Sequence, residues 1–238
     1  DVVMAAVTQD GWALKYADAS LKADKEVVMA AVTEDGRALD YADASLKADR
    51  DVVMAAVKKN GLAFQLAHAS RKADRDVVMA AVTQDGWVLP YVNASRQADK
   101  ELVMAAVKTS GLALKYAAQS LQADKDVVMA AVTQNGQALK YADASLKADL
   151  EVQLVAARHG TATAALKLVR ELSKLPHWRE QEAVLERAVE MLASFPVSAT
   201  SPQVHTQLLN AVERLIKQAY QPGKKRDRDA FEREVFVS

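Results

Sequence analysis

The sequence predicts an all-α solenoid of two-helix, 25-residue repeats followed by a C-terminal helical cap. Three observations carry that expectation. Six tandem copies of one unit fill residues 1–150, with Gly11, Gly36, Gly61, Gly86, Gly111 and Gly136 at the same position in each. A unit of this size cannot bury its apolar face alone and becomes stable by stacking on its neighbours. Helix-capping residues recur twice per period. Half of the 238 residues are hydrophobic but only 5% are aromatic, which favours close helix packing through alanine and valine over a core of large rings.

Each unit closes on Ala-Asp followed mostly by a basic residue, and Asp24, Asp49, Asp74, Asp99, Asp124 and Asp149 each precede an apolar stretch. An aspartate there accepts hydrogen bonds from the free amides of the first helical turn, worth about 1 kcal/mol. The acidic residue two places on, as at Glu26 and Asp51, suits the positive helix end. Helix A then runs for about ten residues through Val-Val-Met-Ala-Ala-Val. The glycine after it supplies the left-handed conformation that commonly ends a helix. Helix B follows from about position 12 and carries Leu14, Ala17 and Leu21 on one face. Two placements of its start compete. Asp10, Asp35, Asn60, Asp85, Ser110 or Asn135 caps it directly, or the glycine ends helix A and helix B begins one or two places later. Pro90 favours the second, because proline is tolerated in a first turn and disruptive in an interior.

Helices this short are marginal alone, so burial between neighbours must hold the array. Each buried Val, Leu or Met contributes roughly 1.5–3 kcal/mol, and paired alanines such as Ala5 and Ala6 let helix axes approach to the short end of the roughly 8–10 Å range. The methionines Met4, Met29, Met54, Met79, Met104 and Met129 share one helix A position and read as core, with a soft stripe for partner helices as the alternative. Phe64 and Leu66 replace the usual leucine and tyrosine and read as compensated core volume. A leucine-rich repeat fails because LxxLxLxxN is absent. A continuous coiled coil has about the right period, but the capping and glycine signals break it twice per unit.

A worn seventh copy begins at Glu151, with its glycine one place early at Gly160. The repeats are thus expected over 1–160. Residues 161–220 carry longer amphipathic patterns punctuated by Pro176, Pro196 and Pro202, and read as a helical cap over the apolar end of the array. Residues 221–238 form a charged tail. Its Lys224, Lys225, Arg226 and Arg228 alternate with Asp227 and Asp229, more in keeping with a solvated loop than with a localisation signal or anionic docking patch. Phe231, Val235 and Phe236 form a final short apolar helix that either tucks onto the body or grips a partner.

The opening Asp24-Lys25-Glu26-Val27-Val28, then MAAV, a polar triplet, Gly, a variable residue, AL, a polar residue, YA and a terminal SLKAD together resemble a known family. It is the tandem helical repeat family classed as a domain of unknown function, the 4116 type. The resemblance covers about residues 1–150 and implies a repeat architecture. It implies no catalytic motif.

Composition narrows the function. Lys plus Arg equals Asp plus Glu at 31 each, a poor start for binding nucleic acid, whose affinity comes largely from neutralising phosphates. The absence of cysteine removes disulfides and thiolate chemistry, and leaves the compartment open. His68, His159, His177 and His205 show no metal-ligand spacing. Serines recurring once per unit are structural, and glycines 25 residues apart cannot cradle a phosphate. Neither a cofactor nor a small-molecule substrate is expected, and the chain does not read as an enzyme. No apolar run reaches the roughly 20 residues of a membrane span. Any targeting segment would lie upstream of Asp1.

The positions where copies disagree are the informative ones. Trp12, Arg37, Leu62, Trp87, Leu112 and Gln137 all follow the glycine. Lys15, Asp40, Gln65, Pro90, Lys115 and Lys140 occupy a second variable position, and Asp18, Asp43, His68, Asn93, Ala118 and Asp143 a third. A constant frame with changing surface residues is how solenoids acquire a binding ridge, with tryptophan as anchor; drift at unconstrained sites gives the same pattern. Together with Phe231 and Phe236, the residues after glycine are the candidate partner contacts. The expected function is protein–protein interaction, as a scaffold or peripheral subunit of a larger assembly. The alternative is a single-stranded nucleic-acid binder reading one nucleotide per unit, against which neutral charge and Asp18 and Asp43 speak.

Overall fold

A computed structural model of the chain describes residues 2–160 and Asn210. Every regular element among them is helical, as an all-α solenoid requires. The chain divides into two compact units, Asp1–Gln134 and Asn135–Ser238.

In the first unit, long α-helices span Val2–Gln9, Lys25–Glu34, Arg50–Lys59, Arg75–Gln84, Lys100–Thr109 and Lys125–Gln134. Between them lie 3-10 helices at Gly11–Tyr16, Gly36–Tyr41, Gly61–Leu66, Gly86–Tyr91 and Gly111–Tyr116. Each 3-10 helix is followed by a short α-helix, at Ala19–Lys22, Ala44–Lys47, Ala69–Lys72, Ala94–Gln97 and Gln119–Gln122. The long helices match the expected helix A, at ten residues from the second copy onward. Helix B is divided. Its intended face is spread over two elements, because Ala17 and Ala42 between them are extended. Three of the five copies in this unit place a second side-chain cap inside the stretch, and the division is also present without one at Asp18 and Ala118. Asp43 and His68 accept the amides of Ser45 and Ser70, and Asn93 accepts that of Arg96. Such local side-chain acceptors compete with a continuous helix.

The long helices start as their aspartates dictate. Asp24 accepts from Glu26 N and Val27 N, and Asp49 from Asp51 N and Val52 N. At the other end the residue before glycine does two jobs. The Asp35 amide closes the long helix on Ala31 O at 2.9 Å, while its carboxylate accepts Arg37 N at 2.9 Å and opens the 3-10 helix. Direct capping is therefore the placement found, and Pro90 is the fifth residue of its six-residue 3-10 helix.

The glycine also has a different purpose from the one its position suggested. No glycine among the described residues has positive φ. What the position requires is close approach to the following repeat. A Cβ on Gly61 would lie 2.7 Å from Ala81 O and 2.9 Å from Asp85 Cβ. At Gly11, Gly36 and Gly86 it would press still closer on the carbonyls of Ala31, Ala56 and Ala106.

Each long helix packs on the next, and the 3-10 helices pack side by side. Val27, Val28, Ala31 and Val32 are buried with Ala38 and Leu39, and the equivalents Val52, Val53, Ala56 and Val57 repeat the pattern. The methionines are half-buried at the margin of this row, outside the core. Phe64 is fully buried whereas Leu66 is half-buried. The tyrosine position that Leu66 fills is exposed or half-buried in every copy, outside the fully buried core that Phe64 enters, so the two do not trade core volume. Backbone bonds also tie neighbouring repeats, from Asp43 N to Lys22 O, His68 N to Lys47 O and Ala118 N to Gln97 O at 2.8–2.9 Å.

In the second unit the described elements are the 3-10 helix Gly136–Tyr141, the short helix Ala144–Ala148 and the long helix Leu150–Arg158. Gly136 N donates to His159 O at 2.9 Å. A Cβ at Gly136 would run into Ala156 O, the same close approach as in the first unit. Apart from Asn210, the expected helical cap, the charged tail, and Phe231 and Phe236 lie outside the described residues.

Candidate functional site: the ridge of 3-10 helices

Trp12, Arg37, Leu62, Trp87 and Leu112 are each the second residue of a 3-10 helix in the first unit, and Gln137 is the second residue of the one in the second unit. The preceding cap fixes the backbone at this point. Trp12 N, Arg37 N, Leu62 N, Trp87 N and Gln137 N donate to Asp10, Asp35, Asn60, Asp85 and Asn135 at 2.8–3.0 Å. With the glycine against the following repeat, the next side chain is turned to the surface. Trp12, Leu62 and Trp87 are 39%, 38% and 42% exposed. Arg37 and Gln137 are exposed and Leu112 is half-buried. Because successive 3-10 helices pack together, the five residues of the first unit make one ridge, with Tyr16 and Tyr91 also exposed along it. Gln137 lines a shallow depression with Gly136, Leu139, Lys140 and Lys147.

The two tryptophans reach the following repeat in the same way. Trp12 meets Tyr41 edge-on at 5.6 Å between ring centroids, and Trp87 meets Tyr116 edge-on at 6.2 Å. Their surroundings then differ. Trp12 Nε1 donates to Asp35 Oδ2 at 2.7 Å, and the Arg37 guanidinium lies 5.2 Å from the Trp12 ring centre while bonding Asp35 at 2.9 Å. That guanidinium draws the Asp35 pKa down from the ordinary 3.8 to about 2, against burial and with help from Arg37 N–H and the Trp12 indole. At Trp87 the corresponding residues are Ser110 and Leu112. The Lys115 ammonium stands 5.3 Å from the Tyr116 ring centre.

Tyr41 and Tyr116 escape a reading of the positions where copies differ, and Ser110 and Lys115 enter it only as a cap and as a second variable position. The signal for them is the residue before glycine in the next copy, aspartate in one case and serine in the other.

The opposite ends of the long helices carry a charge ladder. Lys25 bridges Asp49 and Asp51, Arg50 bridges Asp74 and Asp76, Arg75 bridges Asp99 and Glu101, and Lys100 bridges Asp124 and Asp126. In each rung one of the two carboxylates, Asp49, Asp74, Asp99 or Asp124, also caps its helix. Lys25 is pushed up by Asp49 and Asp51, and Asp49 is pulled down chiefly by Lys25. These groups serve the frame. Among the described residues no group of three or more His, Asp or Glu side chains is placed to hold a metal ion, and no helix is long and apolar enough to cross a membrane.

A stack of near-identical helical units joined by caps, glycine contacts and charge pairs defines an α-helical tandem-repeat protein. The family model described as a domain of unknown function (DUF4116) matches residues 1–47, 49–95 and 99–147, each match spanning nearly two of the 25-residue units. The chain belongs to that family. Neither the curated proteins nor the solved structures contain a match.

Proposed function

We propose that the chain is a non-catalytic helical-repeat protein that binds protein partners through the ridge of its 3-10 helices, as a scaffold or peripheral subunit of a larger assembly. One observation supports this above the others. The caps, glycine contacts and core recur from copy to copy, while the outward residue they position changes from Trp12 to Arg37, Leu62, Trp87 and Leu112. A rigid frame presenting different side chains at fixed intervals is suited to recognising one extended surface. Large exposed aromatic side chains at Trp12, Trp87 and Tyr91 are of the kind that anchor protein interfaces. The conserved polar groups of the repeat are engaged in capping and in the ladder, which leaves them little part in chemistry. Gentle isolation of the native protein should recover it with stoichiometric protein partners. Recovery as a lone monomer would overturn the proposal.

A further inference from the structure

Trp12 and Trp87 share one register position and one mode of packing, yet only Trp12 has its indole satisfied within the chain. Its N–H is taken by the Asp35 carboxylate, and the Arg37 guanidinium stands over its ring. Trp87 donates its backbone amide to Asp85 and packs on Tyr116, but its Nε1 bonds no protein acceptor among the described residues. The protein itself shows what this position binds when an acceptor is present: an aspartate carboxylate, 2.7 Å from the indole nitrogen.

The charge of the surrounding turns differs in the same sense. Residues 33–43, which meet Trp12, hold Glu34, Asp35, Asp40 and Asp43 against Arg37 alone, a net charge of −3. Residues 108–118, which meet Trp87, hold Lys108 and Lys115 and no acid, a net +2. The repeat before Trp87 is also basic over the same register, with Lys58 and Lys59 and no acid in 58–68. Lys58, Lys59, Lys108 and Lys115 are all exposed. Trp87 therefore has an unbonded indole N–H between two cationic neighbouring repeats, with Asp85 of its own turn taken up by the Trp87 backbone amide, while the Trp12 N–H is bonded within an anionic one.

We infer that Trp87, with Leu62 and Tyr91 on the ridge and the exposed Lys108 and Lys115 in the following repeat, anchors an acidic peptide segment of a partner protein. A carboxylate of that segment takes the indole N–H in the way Asp35 takes that of Trp12, and an apolar side chain packs on the exposed ring. Charge-assisted hydrogen bonds are the stronger kind, and the lysines select and steer an anionic segment. This assignment rests on the protein-binding reading of the ridge and narrows it to one junction and one partner chemistry.

The test uses the full chain labelled with nitrogen-15, so that each tryptophan indole N–H gives its own resonance; Trp87→Phe and Trp12→Phe assign two of them. The probe is an acetylated peptide with one phenylalanine between glutamate pairs. The expected result is a saturable shift of the Trp87 indole with little change at Trp12. Ser110→Asp should supply an internal acceptor and weaken binding about tenfold, and Trp87→Phe, which keeps the ring packing, should weaken it by a similar factor. No shift at Trp87, equal shifts at both indoles, or unchanged affinity in both variants would overturn the assignment. So would a Trp87 shift produced by oligothymidylate or phosphatidylserine vesicles but not by the peptide. If native partners are recovered equally well by Ser110→Asp and Trp87→Phe, this assignment fails and the scaffold reading survives. If the unaltered chain recovers none, the scaffold reading itself fails.

Discussion

Asp35 concentrates several roles in one side chain. It ends a long helix, opens a 3-10 helix, receives the Trp12 indole of the previous repeat and pairs with Arg37. Its folded-state pKa of about 2 lies below the ordinary 3.8. The stabilisation it provides is thus complete above the unfolded value and is lost as pH falls through the folded one. Asparagine already occupies this position as Asn60 and Asn135 and still caps, so Asp35→Asn isolates the charge. At neutral pH the variant should be less stable by on the order of 1 kcal/mol, a figure reduced for the solvent exposure of its partner. The deficit should close between about pH 4 and pH 2. Urea midpoints measured across that window check it; a deficit that does not change with pH would show that the charge contributes nothing.

At the scale of elements, the junction between a 3-10 helix and the next long helix decides how closely repeats stack. Backbone atoms lie where a Cβ at Gly61 would go, with Ala81 O at 2.7 Å, and they cannot swing aside as a flexible side chain could. Gly61→Ala should therefore cost about 1–3 kcal/mol by overpacking. That exceeds the roughly 0.4–1 kcal/mol such a change gains by restricting the unfolded chain. A urea midpoint that falls with unchanged denaturant dependence is the expected result, and a midpoint that rises would show that the repeats can separate at no cost. The charge ladder acts at the other end of the same helices. Its exposed pairs are individually weak, but in each rung one of the two carboxylates, as at Asp49 and Asp99, is already fixed by capping, so less side-chain order is lost in forming that pair.

At the scale of the whole molecule, repetition makes stability additive along the array. Excision of residues 51–75 removes one complete period and joins Arg50 to Asp76, recreating the native Asp-Arg-Asp-Val-Val sequence. Arg50 then takes the place of Arg75 opposite Asp99 and Glu101. The shortened protein should fold with unchanged helix content per residue and a lower melting temperature. Excision of residues 51–62 breaks the register and should lose helical signal. Circular dichroism distinguishes the outcomes, and equal loss from both deletions would refute the nearest-neighbour picture.

The primary sequence by itself determined the period, the starts of the long helices and their extent. Those depend on local chemistry: an aspartate side chain reaches amides two and three residues away, and apolar spacing follows the helical turn. It also singled out the residue after glycine as the place where copies differ. Tertiary structure decided what the glycine is for, because the obstructing carbonyl lies 20 residues further along the chain. It likewise placed the methionines at the margin of the core and divided helix B at an extended residue inside it. Most consequentially, it separated Trp12 from Trp87. The two are alike in their own repeats, and the carboxylate that closes one indole and the serine that leaves the other open belong to the next repeat, within reach only once the units have stacked.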